Sequence, residues 1–108
     1  MPKDRIREAV TLIKEFFNGR NIKINKIIIF GSYSKGNYSK DSDIDIAIVS
    51  QDFNGKDIFE KTEMIKGLKW LLVEDIELPF DIVPISLQEW KESSSLVVEF
   101  VKAGKVLL

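Results

Sequence analysis

Two short apolar runs and the polar stretch between them constrain this chain most. Lys26-Ile27-Ile28-Ile29-Phe30 leads into Gly31-Ser32, and a second run, Ser42-Asp43-Ile44-Asp45-Ile46-Ala47-Ile48-Val49, follows with ten residues between Ser32 and Asp43. Runs this short and isoleucine-rich, bounded by glycine and serine, read as buried strands. In a strand, residues i and i+2 share a face. Asp43 and Asp45 therefore project side by side, while Ile44, Ile46 and Ile48 take the alternating positions. Two carboxylates that close repel each other unless a cation joins them. A strand that starts this way reads as a place to hold a divalent metal.

The remaining segments supply helices to cover such strands. Ile6, Val10, Ile13 and Phe17 make one apolar stripe at helical spacing, which predicts a helix over Pro2–Phe17 stopped by Asn18-Gly19. Asp57 is placed to cap a helix running to about Leu72, with Ile58, Ile65, Leu68 and Leu72 on one face. Pro79–Ile85 is predicted as a third strand with prolines at its ends, and Leu87–Val101 as a helical region in two pieces around Ser93-Ser94-Ser95. Trp70 and Trp90 fall on these helices and are expected to cover the sheet. Ala103-Gly104 reads as a stop before a short apolar tail. The order αβ(α)βαβα, with the bracketed helix a brief one after Gly31-Ser32, implies an α/β (α+β) fold. Its centre would be a small mixed sheet of three strands covered by helices.

Composition narrows the chemistry. A chain of 108 residues, 44% hydrophobic and 31% charged, is expected to form one globular domain over 1–108. No apolar run approaches the ~20 residues needed to span a bilayer. No apolar segment follows Met1-Pro2-Lys3-Asp4 as a secretory signal requires. With no cysteine either, the cytoplasm is the expected compartment. The absence of cysteine and histidine removes thiolate zinc sites, Ser-His triads and histidine-ligated transition metals. Any metal must take oxygen ligands, which favours magnesium, manganese or calcium. A net charge of −1 argues against a dedicated duplex-DNA binder. Residues 1–40 hold nine Lys/Arg against three Asp/Glu, and residues 41–108 hold seven against fourteen. Mixed solvated faces on helices account for that asymmetry; the sharper reading is a basic surface beside an acidic metal site, which suits a polyphosphate ligand.

If the first two strands pair as an antiparallel hairpin, Gly31-Ser32 and Asp43/Asp45 meet at one sheet end. Gly31 lets a ligand approach the backbone closely, and Ser32 offers a hydroxyl and an N–H to a phosphate oxygen. Ser34-Lys35, as the start of a helical turn, would add N–H groups for an anion. Lys35 adds a compact positive charge, and Gly36 permits a tight exit. Tyr33 and Tyr38 flank this loop; packing on the domain is the expected role, with stacking on a base the alternative. Asp81, in Phe80-Asp81-Ile82-Val83, is the candidate third carboxylate, an acid inside an apolar strand where an unpaired charge is costly. The acidic cluster Glu74, Asp75 and Glu77 reads as loop. Attack on an α-phosphate needs an activated nucleophile, neutralised charge and an in-line leaving group. Two metals about 4 Å apart provide all three without a histidine base.

Gly31-Ser32-Tyr33-Ser34-Lys35-Gly36, Ser42-Asp43-Ile44-Asp45-Ile46 and Asp81-Ile82-Val83 together resemble the nucleotidyltransferase motif of the DNA polymerase β superfamily. The short length resembles the minimal nucleotidyltransferases of bacteria and archaea, small proteins paired with a HEPN-domain partner in toxin–antitoxin modules. Glu99–Leu108 resembles that family's ending. The resemblance implies that Asp43 and Asp45 hold two magnesium ions, with manganese as a substitute. Asp81 would ligate the metal that binds the acceptor hydroxyl, and Ser32 with Gly31 would hold the terminal phosphates. Lys35 stands where many members carry an arginine, keeping the charge but losing the bidentate fork.

The function implied is metal-dependent transfer of AMP from ATP to a tyrosine of a HEPN-type toxin, with this chain as antitoxin. Two alternatives stand beside it. One is a docking antitoxin or nucleotide-binding module without catalysis, against which three converging acids argue. The other is a small-molecule nucleotidyltransferase that borrows its acceptor side from a second subunit. A bare site on so short a chain also implies an oligomer or hetero-complex.

Overall fold

The isoleucine-rich runs do become strands. The computed structural model describes residues 3–31, 36, 43–92 and 95–108. Its elements are α1 (Lys3–Gly19), β1 (Lys26–Phe30), β2 (Ile44–Ser50), a 3-10 turn (Gln51–Phe53), α2 (Ile58–Met64), α3 (Leu68–Ile76), β3 (Phe80–Ser86), α4 (Leu87–Glu92), α5 (Leu96–Lys102) and β4 (Lys105–Val106). The sheet order is β3-β2-β1-β4. β1 pairs antiparallel with β2, as the hairpin reading requires, and β2 pairs parallel with β3. A parallel pair needs a crossover, and α2 and α3 provide it. The brief helix expected between β1 and β2 lies outside the described residues.

Alternation along β2 sorts the interior into two cores. Ile44, Ile46 and Ile48 join Ile27 and Ile29 with Ala9, Ile13 and Phe17 of α1 and Leu68, Leu72 and Ile76 of α3. On the opposite face, Ala47 and Val49 join Ile28, Phe30, Ile85 and, from α5, Val98 and Val101. β2 is thus covered on both sides, which is why its sequence runs almost unbroken in apolar residues. Asp45 is its one residue that is not fully buried.

Four details depart from the sequence reading. The stripe of α1 is turned slightly, so that Ala9, Ile13 and Phe17 are fully buried while Ile6 and Val10 pack at the margin. The helix expected from Asp57 to Leu72 is two helices. Asp57 caps the first, accepting from the Glu60 N–H at 2.8 Å, while Glu60 accepts from the Asp57 N–H at 3.1 Å, a reciprocal capping box. The second starts at Gly67, whose φ of +94° favours glycine. An Arg20 guanidinium, stacked 4.4 Å over Phe16, donates to the Lys66 carbonyl at 2.9 Å and ties this break to the end of α1. The break turns Leu68, Leu72 and Ile76 inward but leaves Ile58 58% exposed, against the single-face expectation. Trp70 is likewise 67% exposed rather than covering the sheet, whereas Trp90 packs on the second core. Finally, among the described residues the sheet has four strands, because the tail after Gly104 pairs Lys105 with Ile29 and Val106 with Ile28. Among the described residues no helix is long and apolar enough to cross a membrane.

Candidate functional site

The two acids that the sequence places on separate strands meet in one register. Asp45 lies directly across from Asp81 in the parallel β2–β3 pair and across from Phe30 in the antiparallel β1–β2 pair. Residues level with one another on paired strands share a face, so Asp45 and Asp81 project together. The Ile44 N–H donates to the Pro79 carbonyl at 2.8 Å and fixes the starts of the two strands against each other. Asp43 precedes β2 by one residue and is exposed, Asp45 is half-buried, and Asp81 is exposed on an edge strand. Pro84 occupies that same edge strand, where the missing N–H is tolerated.

Gly31 closes the site from the β1 side. Its φ is +73°, and a Cβ there would fall on Oδ2 of Asp45. The glycine is therefore needed twice, for its backbone conformation and for the room it leaves the carboxylate. Gly36, with φ +75°, has the conformation expected of a tight exit. Ser32, Tyr33, Lys35 and Tyr38 lie outside the described residues. The acidic cluster read as loop belongs to α3 instead: Glu74 and Asp75 are exposed in its last turn, and Glu77 is its left-handed C-cap.

Burial pushes the Asp45 carboxyl above its ordinary value, and the negative charges of Asp81 and then Asp43 push it further the same way. Among the described residues no lysine or arginine forms an ion pair with these three acids. Nor are any three described acids closed up to metal-ligand spacing. Among the described residues the donor set is carboxylate oxygen alone, beside a backbone corner kept clear by glycine. It fits a hard divalent cation such as magnesium or manganese.

Sequence reasoning placed Asp43, Asp45, Asp81 and Gly31 at this sheet end but missed what stands behind them. Phe30, whose backbone faces Asp45, takes the edge of the Phe100 ring at a centroid distance of 5.8 Å. The available signal was Gly104 after an apolar helix, which marks a close return of the chain onto β1.

The sequence profile of the nucleotidyltransferase domain matches residues 6–105. A protein of Methanocaldococcus jannaschii named "putative protein adenylyltransferase" is 52% identical over 44 residues, 41% of each chain. The match thus spans well under half the length of that relative. A solved toxin–antitoxin structure with AMP-PNP superposes with a TM-score of 0.62 at 26% identity, covering 91% of this chain and 71% of the other. A "putative nucleotidyltransferase" from Sulfolobus solfataricus shares the fold, with a TM-score of 0.63 at 22% identity, covering 98% and 92%.

Proposed function

The chain belongs to the nucleotidyltransferase domain family, and from that premise we propose that it transfers AMP from ATP to a hydroxyl group. The observation that carries this reading is the register setting Asp45 beside Asp81, with Asp43 just ahead and Gly31 making room. Asp43 and Asp45 would hold two magnesium ions, with Asp81 as a ligand on the acceptor side. When bound, these ions neutralise the triphosphate, lower the hydroxyl pKa and stabilise the leaving pyrophosphate.

The residues of the chain do the positioning. Gly31 and Ser32 would hold the terminal phosphates, with Lys35 adding charge and Gly36 turning the loop away. The acceptor oxygen forms a bond to the α-phosphorus as the bond to the bridging oxygen breaks. Pyrophosphate leaves with that electron pair, and the hydroxyl proton passes to Asp81. Because Asp81 is exposed on an edge strand, a macromolecular acceptor can reach it.

A protein acceptor also accords with the adenylyltransferase relative and the toxin–antitoxin neighbour. We assign the acceptor to a tyrosine of a HEPN-type toxin and the chain to a cytoplasmic antitoxin that silences it by covalent modification. Purified chain with ATP, magnesium and such a partner should add the mass of one adenylyl group to the partner. No gain, with Asp43→Ala behaving as the wild type does, removes this reading.

A further inference from the structure

Phe30 ends β1 one residue before Gly31 and is gripped from both sides. On one side its backbone pairs with Asp45. On the other stand α5 and β4. The Phe100 ring meets the Phe30 ring edge-on, with planes at 87° and centroids 5.8 Å apart. Gly104, which turns α5 into β4, abuts the same residue. A Cβ on Gly104 would overlap the Ile29 carbonyl and lie 2.8 Å from Cβ and 3.0 Å from Cα of Phe30. These are backbone and near-backbone atoms of buried residues, so they cannot swing aside as a long side chain would. Beyond Gly104 the chain is pinned by the pairing of Lys105 with Ile29 and of Val106 with Ile28. Whatever sets Phe30 sets the next residue, Gly31, whose missing Cβ is the space the Asp45 carboxylate occupies.

We infer that Phe100 and Gly104 are positioning residues. From the far side of β1 they fix the Phe30–Gly31 corner, and through it the place of Asp45, and so set the affinity for a divalent cation with a nucleoside triphosphate. This rests on the proposed nucleotidyl transfer, and the test separates the two.

The probe is manganese with ATP, titrated into the full chain and followed by the electron paramagnetic resonance of the metal. Gly104→Ala and Phe100→Ala should each weaken binding about tenfold or more, as loss of the support behind a ligand does. Phe100→Leu, which keeps apolar bulk against Phe30, should recover part of that loss and serves where Gly104→Ala fails to fold. Ile13→Val thins the core on the other sheet face and lowers thermal stability, yet should bind as the wild type does. Wild-type affinity in both Gly104→Ala and Phe100→Ala overturns the positioning role and leaves the transferase reading standing. An equal loss in Ile13→Val reduces the effect to general stability and overturns it as well. A wild type that binds no manganese with ATP overturns both readings.

Discussion

Asp45 and Asp81 stand level across a parallel strand pair, and among the described residues no basic side chain is ion-paired with either. The folded chain thus holds two carboxylates together at a cost that a bound cation would offset. Burial and the neighbouring charges raise the Asp45 carboxyl. A raised folded-state value means that stability is lost as pH rises through it. In metal-free solution at neutral pH, Asp45→Asn should therefore unfold at a higher temperature than the wild type. The same variant should lose at least about a hundredfold in transfer rate. Thermal unfolding in a chelator, paired with an adenylylation assay, checks both signs.

Gly31→Ala acts through the same carboxylate. The left-handed backbone alone costs about 1–2 kcal/mol for a residue with a Cβ, and the added methyl falls on Asp45 Oδ2. Denaturant titration should show that loss, while transfer falls further than the stability change explains.

Gly67 gives an inverted sign. In a continuous helix, replacing glycine by alanine stabilises by about 1 kcal/mol. Here Gly67 has φ +94° and only Phe16 Cε2 near its missing Cβ, at 3.9 Å. Space is available but the conformation is not, so Gly67→Ala should destabilise by about 1–2 kcal/mol. Urea unfolding of this one variant distinguishes two helices from one.

Lys61 of α2 is buried and paired with Glu89 of α4. Burial alone would raise the Glu89 carboxyl. The hydrogen bonds from Lys61 and from the Ser86 N–H and hydroxyl outweigh it and hold the group below its ordinary value. A lowered folded-state value gives stability that is present above the unfolded value and lost as pH falls through the folded one. Glu89→Gln should cost about 1 kcal/mol at neutral pH, a modest figure because the Glu89 side chain is 40% exposed. The gap from the wild type should close as the solution is acidified below pH 4, measured by unfolding across that range.

Legibility followed how local the determining physics is. The β1–β2 hairpin, Asp43/Asp45 and the capping role of Asp57 could be read because each depends on period-two alternation or on a few adjacent residues. Asp81 could be placed on its strand from the apolar run around it, but its exposure on the edge strand removes the burial cost that reading assumed. The helix break could not be foreseen in full, because it depends on Arg20 reaching the Lys66 carbonyl from a distant helix end. β4 escaped because two exposed residues carry no periodic signal and pair only once Gly104 abuts Phe30. Lys61–Glu89 escaped for the same reason, since twenty-eight positions separate the partners.

The most direct measurement is calorimetric titration of ATP into the wild type and into Asp45→Asn, with magnesium and with a chelator. The wild type should bind ATP with magnesium and lose that binding in the chelator, and Asp45→Asn should bind weakly in both. ATP that binds the wild type equally well without divalent metal, or binds Asp45→Asn as it binds the wild type, would contradict a metal-joined nucleotide site at Asp43, Asp45 and Asp81.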